Sequence, residues 1–505
     1  WWEVNINKIK FDASSLEDAN NSKQKWFPYN KGGSFRRWYG NYDYVVNWEN
    51  DGKEIRNFTD GNGKLRSVTR NPNYYFKDAL TWPLVTSGGL SARYREGGSI
   101  HDVSGMSAFS VNSDYIYYCL GIINSPIGNG ILKILNPTIN SQVGDFQKIP
   151  IIFDENIEGD IVDKVKRCID LAKEDWNSRE TAWGFRKQPL ISKENSIPES
   201  INVVNKEINI KRESLSSYHE DINKKILSLY NLSKEYTYSV ENKEIPVIID
   251  TVDEYIIKFM SYAIGIIMGR YSLDEEGLIY AGGEWDSSRY KKFQPDKDNV
   301  LLITDDEYFK DGEFDIVNRF IDFVEVTFGK ETLEENLQFI ADTLGGRGTS
   351  REIIRRYFVK DFYKDHLKTY SNRPIYWQLD SGKQNGFKAL MYLHRYTPDQ
   401  LGKVRTEYLH ELQKAYDNRV ELRQQQISTS ENQKEINAMK KEIEKIQKQL
   451  KEVREYDEKL GHLALNRIEL DLDDGVIINY DKLQRDPDTG EKYQILAKGV
   501  KEPKK

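Results

Sequence analysis

The sequence predicts an α+β protein: a mostly β domain at the N-terminal end, then helical domains that include a long antiparallel, coiled-coil-like helical hairpin. Three observations predict it. Residues 1–150 hold short runs of Tyr, Val, Ile and Phe separated by Gly- and Asn-rich turns. After Asp154, Ile161, Val165, Ile169 and Ala172 recur at helical spacing, with Trp176 extending the stripe. Further on, Ile436, Met439, Ile443, Ile446, Leu450 and Val453 alternate steps of three and four, the seam of a packed helix pair.

Taken in order, Lys31-Gly32-Gly33, Asn50-Asp51-Gly52, Asp60-Gly61-Asn62-Gly63 and Ser87-Gly88-Gly89 are turn signals between strands such as Tyr42-Asp43-Tyr44-Val45-Val46-Asn47-Trp48. A helix-like run from Tyr115 to Leu120 interrupts this β module, which closes near Ile149-Pro150-Ile151. The expected organisation is a β-rich domain over 1–153, a helical connector over 154–300, an α/β domain over 301–400, the hairpin over 401–456 and a C-terminal segment over 457–505. Within the connector, residues 195–230 form a polar stretch with scattered apolar residues, and Val252 to Met268 supplies an apolar helix. Two amphipathic helices are expected between Asn299 and Gly345, the second stopped by Gly345-Gly346. The hairpin pairs the seam above with an earlier helix carrying Leu401, Val404, Tyr408, Leu412 and Ala415, across the polar tract 424–430.

Composition narrows the function classes. Lys and Arg number 73 against 80 Asp and Glu, so the net charge of −7 argues against a histone-like coat, though not against a local basic groove. The longest apolar runs fall far short of the ~20 residues a membrane span requires. Only Cys119 and Cys168 are present, which excludes zinc thiolate sites and fits a reducing cytoplasm. The chain opens Trp1-Trp2-Glu3 and reads as a piece of a longer protein.

Candidate binding residues cluster in two places. Residues 25–41 set Lys25, Lys31, Arg36 and Arg37 among aromatic side chains, with a glycine pair whose amides could approach a phosphate. The alternative, a Trp and Tyr core with a charged outer face, has equal standing on composition. Residues 1–110 hold 15 basic and 12 acidic side chains, too small an excess to decide. Arg347, Arg351, Arg355 and Arg356 start a helix for which Ser350 is the expected cap, and i, i+4 spacing puts Arg351 and Arg355 on one face. A solvated face would look the same. Catalytic signals fail: Asn71-Pro72-Asn73-Tyr74 lacks the second Pro of an amino-methyltransferase loop. Gly345-Gly346-Arg347-Gly348 follows a helix rather than a strand, the six His are scattered, and neither Pro-Asp pair has a nuclease partner downstream.

Trp26-Phe27-Pro28-Tyr29-Asn30-Lys31-Gly32-Gly33, then Phe35-Arg36-Arg37-Trp38-Tyr39-Gly40-Asn41 and Ile100-His101-Asp102-Val103-Ser104-Gly105-Met106, carry a resemblance. So do Ser350-Arg351-Glu352-Ile353-Ile354-Arg355, Arg373-Pro374-Ile375-Tyr376-Trp377, Asn385-Gly386-Phe387-Lys388 and Leu470-Asp471-Leu472-Asp473-Asp474-Gly475. In this order they resemble the C-terminal half of the adenine-specific DNA methyltransferases of bacterial BREX phage-exclusion systems, with related blocks in fused restriction-modification methylases. The run Leu135-Asn136-Pro137-Thr138-Ile139-Asn140 is similar to the closing segment of target-recognition domains in type I specificity subunits.

The resemblance implies that residues 1–153 are a target-recognition-like domain for double-stranded DNA. It implies no cofactor in this chain, and S-adenosylmethionine in an N-terminal methyltransferase domain that is absent here, so the chain alone is not expected to be catalytic. Lys31, Arg36, Arg37, Trp38, Tyr39, Asn41, Arg93 and Tyr94 are the expected DNA contacts, with Arg351 and Arg355 on phosphates. Other defence-system proteins are possible partners. The alternative is an interaction scaffold of a defence complex, docking partners through the helical hairpin with DNA contact incidental.

Overall fold

The computed structural model describes the chain except for residues 86–88, 137, 139, 192, 310–313 and 502–505 and the Ser113 side chain, so the turn expected at Ser87-Gly88 lies outside the described residues. The chain divides into two units. One comprises Trp1, Asn7–Phe185 and Val203–Ile249; the other comprises Trp2–Ile6, Arg186–Asn202 and Asp250–Lys505. The expected boundary at residue 153 falls inside the first. Helix predominates, and the strands among the described residues form three small sheets, an α+β composition.

The first unit holds β1 (Trp26–Asn30), β2 (Tyr44–Asn47), β3 (Ala79–Pro83), β4 (Arg93–Arg95), β5 (Ile100–His101) and β6 (Gly105–Ala108). They form two sheets, ordered β2-β1-β5 and β4-β3-β6. Only β1 and β5 pair in parallel, over two positions, among the described strands. Strand content ends at Ala108. Where the sequence suggested one short helical interruption, Ser113–Asn124 and Pro126–Leu135 are both helices, capped by the Asn112 and Ser125 side chains. Asp154 caps the helix Glu155–Asn177, which buries the stripe read from sequence, Ile161, Val165, Ile169, Ala172 and Trp176, together with Val162 and Cys168. The polar stretch after residue 195 is one helix of 33 residues, Ile197–Leu229. Its Leu215, Ile222 and Ile226 join the core around Trp38, Trp82 and Leu120. Each such residue fully buried contributes roughly 1.5–3 kcal/mol, which holds an otherwise polar helix in place.

In the second unit, Thr251 and Glu254 form a reciprocal cap at the start of Val252–Ile267, a helix buried on most of its surface. The two amphipathic helices are Ile316–Phe328, capped by Asp315, and Leu333–Leu344, which Gly345 ends at φ +73°. Strands β7 (Leu301–Leu302), β8 (Tyr376–Asp380) and β9 (Lys388–Tyr392) form an antiparallel sheet ordered β7-β9-β8. The β8–β9 turn is closed by Glu452, whose carboxylate accepts from Ser381 Oγ at 2.7 Å, Gln384 N at 2.8 Å and Gly386 N at 3.1 Å. Glu452 lies on the long helix Gln433–Leu465, which follows His410–Thr429 after a short link. Arg419 and Arg423 of the first helix both reach Glu442 of the second. Of the expected seam, Ile446, Leu450 and Val453 are buried, while Ile436, Met439 and Ile443 are half-buried. A π-helical turn, Val404–Leu409, precedes His410; beyond it Leu412 is buried as expected, and Tyr416 is buried where Ala415 is half-buried.

Three histidines are sealed in these cores: His219 in the first unit, His366 and His394 in the second. His366 Nε2 accepts from Ile375 N at 3.2 Å and Tyr376 N at 3.1 Å, a role only the neutral ring can fill. Burial pushes each of the three down to about 3, with Arg270 adding to the effect at His366 and His394. A folded-state pKa below the unfolded value of about 6.5 means that this stability is present above about pH 6.5 and is lost as pH falls toward the folded value. Denaturant midpoints measured between about pH 7 and pH 4.5 should therefore fall, at about 1.4 kcal/mol per pH unit for each histidine. A flat profile would show that the rings protonate without cost.

Candidate nucleic-acid interface

The motif that drew attention in the sequence is folded inward. Arg36 is 5% exposed. Its Nε donates to Tyr39 O at 2.8 Å, Nη1 to Pro246 O at 3.1 Å, and Nη2 to Ala172 O at 3.1 Å and Asp175 Oδ2 at 2.7 Å. Burial lowers its pKa, and Asp175 opposes the shift. The adjacent Gly40, at φ +129°, has room for no Cβ: one would lie 2.5 Å from Arg36 Nε and 2.8 Å from the Trp176 ring. Arg37, 3% exposed, pairs with Glu244 at 2.7 Å.

The remaining residues of the cluster follow the same pattern. Trp38 is fully buried, edge-on to His219 at 5.0 Å, and its backbone bonds to Ala92 and Tyr94. Tyr39 stacks on Tyr42 at 4.8 Å and donates to Glu96, and burial drives its hydroxyl far above the usual tyrosine range. Asn41 Nδ2 holds Ser34 O at 2.9 Å. Arg93 spends its guanidinium on Gly32 O at 2.9 Å and Arg36 O at 3.5 Å, and burial pulls it down to about 9. Tyr94 donates to Asp78 at 2.9 Å. Lys31 differs: it is exposed, with its ammonium over the Tyr44 ring at 5.2 Å.

On the second unit the helix Ser350–Lys360 begins with a Thr349–Glu352 reciprocal cap, so the cap is Thr349 and not Ser350. Arg355 is half-buried, bidentate to Asp315 at 2.5 and 3.1 Å and bonded to Thr304 Oγ1 at 2.7 Å. Arg351 is exposed and bidentate to Glu334 at 2.8 and 2.5 Å. Eight of the ten expected contacts, Arg36, Arg37, Trp38, Tyr39, Asn41, Arg93, Tyr94 and Arg355, are thus buried or half-buried in the fold, where most of their polar atoms bond within the protein and Arg37 Nε, Trp38 Nε1 and Arg93 Nε are sealed from solvent. Lys31 and Arg351 keep accessible charge.

Other chemistry has little to build on. Among the described residues no three His, Cys, Asp or Glu side chains gather as a metal site. No helix among them is long and apolar enough to cross a membrane. Cys168 is buried and its thiol is pushed up, which keeps it unreactive. Sequence reading counted Arg66 and Arg70 only toward the module's basic excess and missed Phe58, Lys64, Leu65 and Val68 beside them; all six are exposed. The signal available was the Asp60-Gly61-Asn62-Gly63 turn, read only as a strand break.

No family model matches the chain. Its relatives define a class first: they are named adenine-specific methyltransferases. One is PglX of Lacticaseibacillus casei (strain Zhang), 41% identical over 495 residues, covering 96% of this chain and 41% of that protein. Another is BrxX of Escherichia coli O9:H4 (strain HS), 36% identical over 513 residues, covering 95% of this chain and 41% of that protein. The chain therefore spans about two fifths of the length of the relatives it matches.

The Arg36 geometry makes a direct prediction. Arg36→Ala leaves three carbonyls without this donor and strips Asp175 of its shortest charge partner, and should destabilise the first unit by about 3–5 kcal/mol. Chemical denaturation followed by tryptophan fluorescence measures it, and a loss under about 1 kcal/mol would contradict the clamp.

Proposed function

We propose that this chain is the C-terminal, DNA-reading part of an adenine-specific DNA methyltransferase of a BREX-type phage-defence system. The supporting observation is the similarity itself: 41% identity to an adenine-specific methyltransferase running over 96% of the chain. On this reading the S-adenosylmethionine site and the catalytic loop belong to the rest of the protein. An adenine amine inside a duplex is reached only after the base is swung out, so a separate module must hold the flanking duplex and choose the sequence. The first unit supplies that module, its core closed by the buried arginines so that the outer segments keep a fixed geometry. Lys31 and Arg351 act as phosphate contacts, Arg351 by exchanging Glu334 for a phosphate.

The scaffold reading draws on one observation: the outer part of the helical hairpin keeps Leu422 47% exposed and Ile436 and Met439 half-buried. Trimming residues 424–437 spares the buried Ile446, Leu450, Val453 and Tyr456, and separates the two readings. Under the DNA-reading proposal the trimmed protein keeps its methylation target; under the scaffold reading it loses protein partners while DNA binding is unaltered.

The decisive experiment is an exchange. Residues 7–249 carry the Arg36, Arg37 and Asp175 contacts intact and replace the aligned segment of the Lacticaseibacillus casei relative. The methylated sequence, read by methylation-sensitive sequencing, should follow the transplanted segment. An active chimera that keeps the recipient's target would overturn the proposal.

A further inference from the structure

Residues 57–70 carry a short two-stranded ribbon, closed by one isolated bridge, whose tip projects into solvent. Arg66 N donates to Phe58 O at 2.8 Å, Asp60 N to Lys64 O at 2.9 Å, and Thr59 pairs with Leu65 in antiparallel register. The tip turns through Asp60-Gly61-Asn62-Gly63, with Gly63 at φ +76°. Neither Gly61 nor Gly63 has an atom within 4 Å of where a Cβ would sit, so the tip is surrounded by solvent. The base is fastened: Ser67 Oγ donates to Ile55 O, and Arg56, lying over the Trp48 ring, donates to Thr69 Oγ1 at 3.3 Å.

The charge on this ribbon is one-sided. Between residues 57 and 70 there are three cations, Lys64, Arg66 and Arg70, and one carboxylate, Asp60. That carboxylate is committed to the turn, accepting from Asn62 N and Lys64 N at 3.0 Å each, and it pairs with Arg66 at 3.2 Å. Large apolar side chains stand beside the cations: Phe58 is 60% exposed, Leu65 57% and Val68 73%. Such side chains are left in water at a cost unless a partner covers them. The pleat puts Phe58, Lys64 and Arg66 on one face and Leu65 on the other.

A partner that covers apolar groups and also supplies a dense array of negative charge is a nucleic acid duplex. The major groove admits a two-stranded ribbon, its walls carry phosphates, and its floor offers thymine methyls and base edges. We propose that the 57–70 ribbon enters the major groove of duplex DNA, with Lys64, Arg66 and Arg70 on phosphates or guanine edges, Phe58 against the bases and Leu65, on the opposite face, against the sugars of the groove wall. This rests on the DNA-reading function proposed above and names the element that performs it.

The test is a salt series of duplex binding by the full chain, monitored by fluorescence anisotropy, in four forms. These are the wild type, a ribbon variant (K64A/R66A/R70A), a charge-matched control on an exposed face of the long helix (K434A/K440A/K441A), and F58S/L65S. All the replaced side chains are exposed, so circular dichroism spectra should be superimposable. The ribbon variant should bind at least about tenfold more weakly, with a log–log salt slope shallower by roughly 2 to 3. The control should match the wild type, and F58S/L65S should bind more weakly at unchanged slope. A ribbon variant with wild-type affinity and slope, or a control that loses as much, overturns the assignment and leaves the broader function standing. A wild type without salt-dependent duplex binding removes the DNA-reading function, and the ribbon assignment with it.

Discussion

The first unit depends on the burial of one guanidinium. Arg36 links three stretches far apart in sequence: the loop after β1, the helix Glu155–Asn177 through Ala172 O and Asp175, and the segment at Pro246. Asp175 extends the link, since its other oxygen accepts from Ile248 N at 2.9 Å and Arg179 approaches it at 3.3 Å. A buried charge is tolerable only when its donors are satisfied, and here four acceptors surround it. The flat Trp176 ring lies 5.2 Å from the guanidinium and excludes water from that side. The β sheets therefore cannot shift against the helices without breaking several charge-assisted hydrogen bonds at once, which makes the unit rigid around its core rather than at its edges.

The second unit buries an arginine by a different route. Arg270 is fully buried, and phenols accept from it: Tyr271 Oη at 3.1 Å and Tyr392 Oη at 2.9 Å, while Tyr392 Oη donates in turn to Tyr280 O at 2.8 Å. The charge is thus spread into a hydrogen-bond chain that ends on backbone. It also reaches His366 and His394, and helps hold both rings neutral. The amide-accepting role of His366 follows from that neutrality, so the packing of Ile375 and Tyr376 at the start of β8 is coupled electrostatically to a residue more than a hundred positions earlier.

Periodicity made the helices legible. The stripe from Ile161 to Trp176, the pair of helices after Asp315 and the seam from Ile446 to Val453 all follow from spacing, because a helix buries one face and spacing reports that face. The Ile197–Leu229 helix was less legible: Leu215, Ile222 and Ile226 are too few among Lys, Glu and Asn to stand out. Side-chain direction was the harder property. Residues 36–41 look alike in sequence whether the cations face a phosphate or an interior carboxylate, because Asp175 and Glu244 are more than 130 residues away. One local hint was present: Gly40 follows Tyr39 where any Cβ would collide with Arg36, a sign of close packing and not of an open groove. Tip residues such as Lys64 and Leu65 lacked a signal of their own, since exposure is set by what the rest of the chain leaves uncovered.

This placement changes what the resemblance to methyltransferases can mean. The block from Trp26 to Asn41 carries part of it, yet the structure spends most of that block on internal bonds. Similarity there speaks for a shared way of building the module. It does not speak for shared bases in a DNA target, since side chains whose donors are already used cannot read a base edge. Any choice of sequence has to come from residues that keep polar and apolar groups in water. In the first unit such residues lie largely outside the motif, on segments whose backbone geometry the buried arginines hold still. A rigid interior and variable outer segments are a sound physical basis for a reader, because the interior can persist while the exposed side chains change what is read.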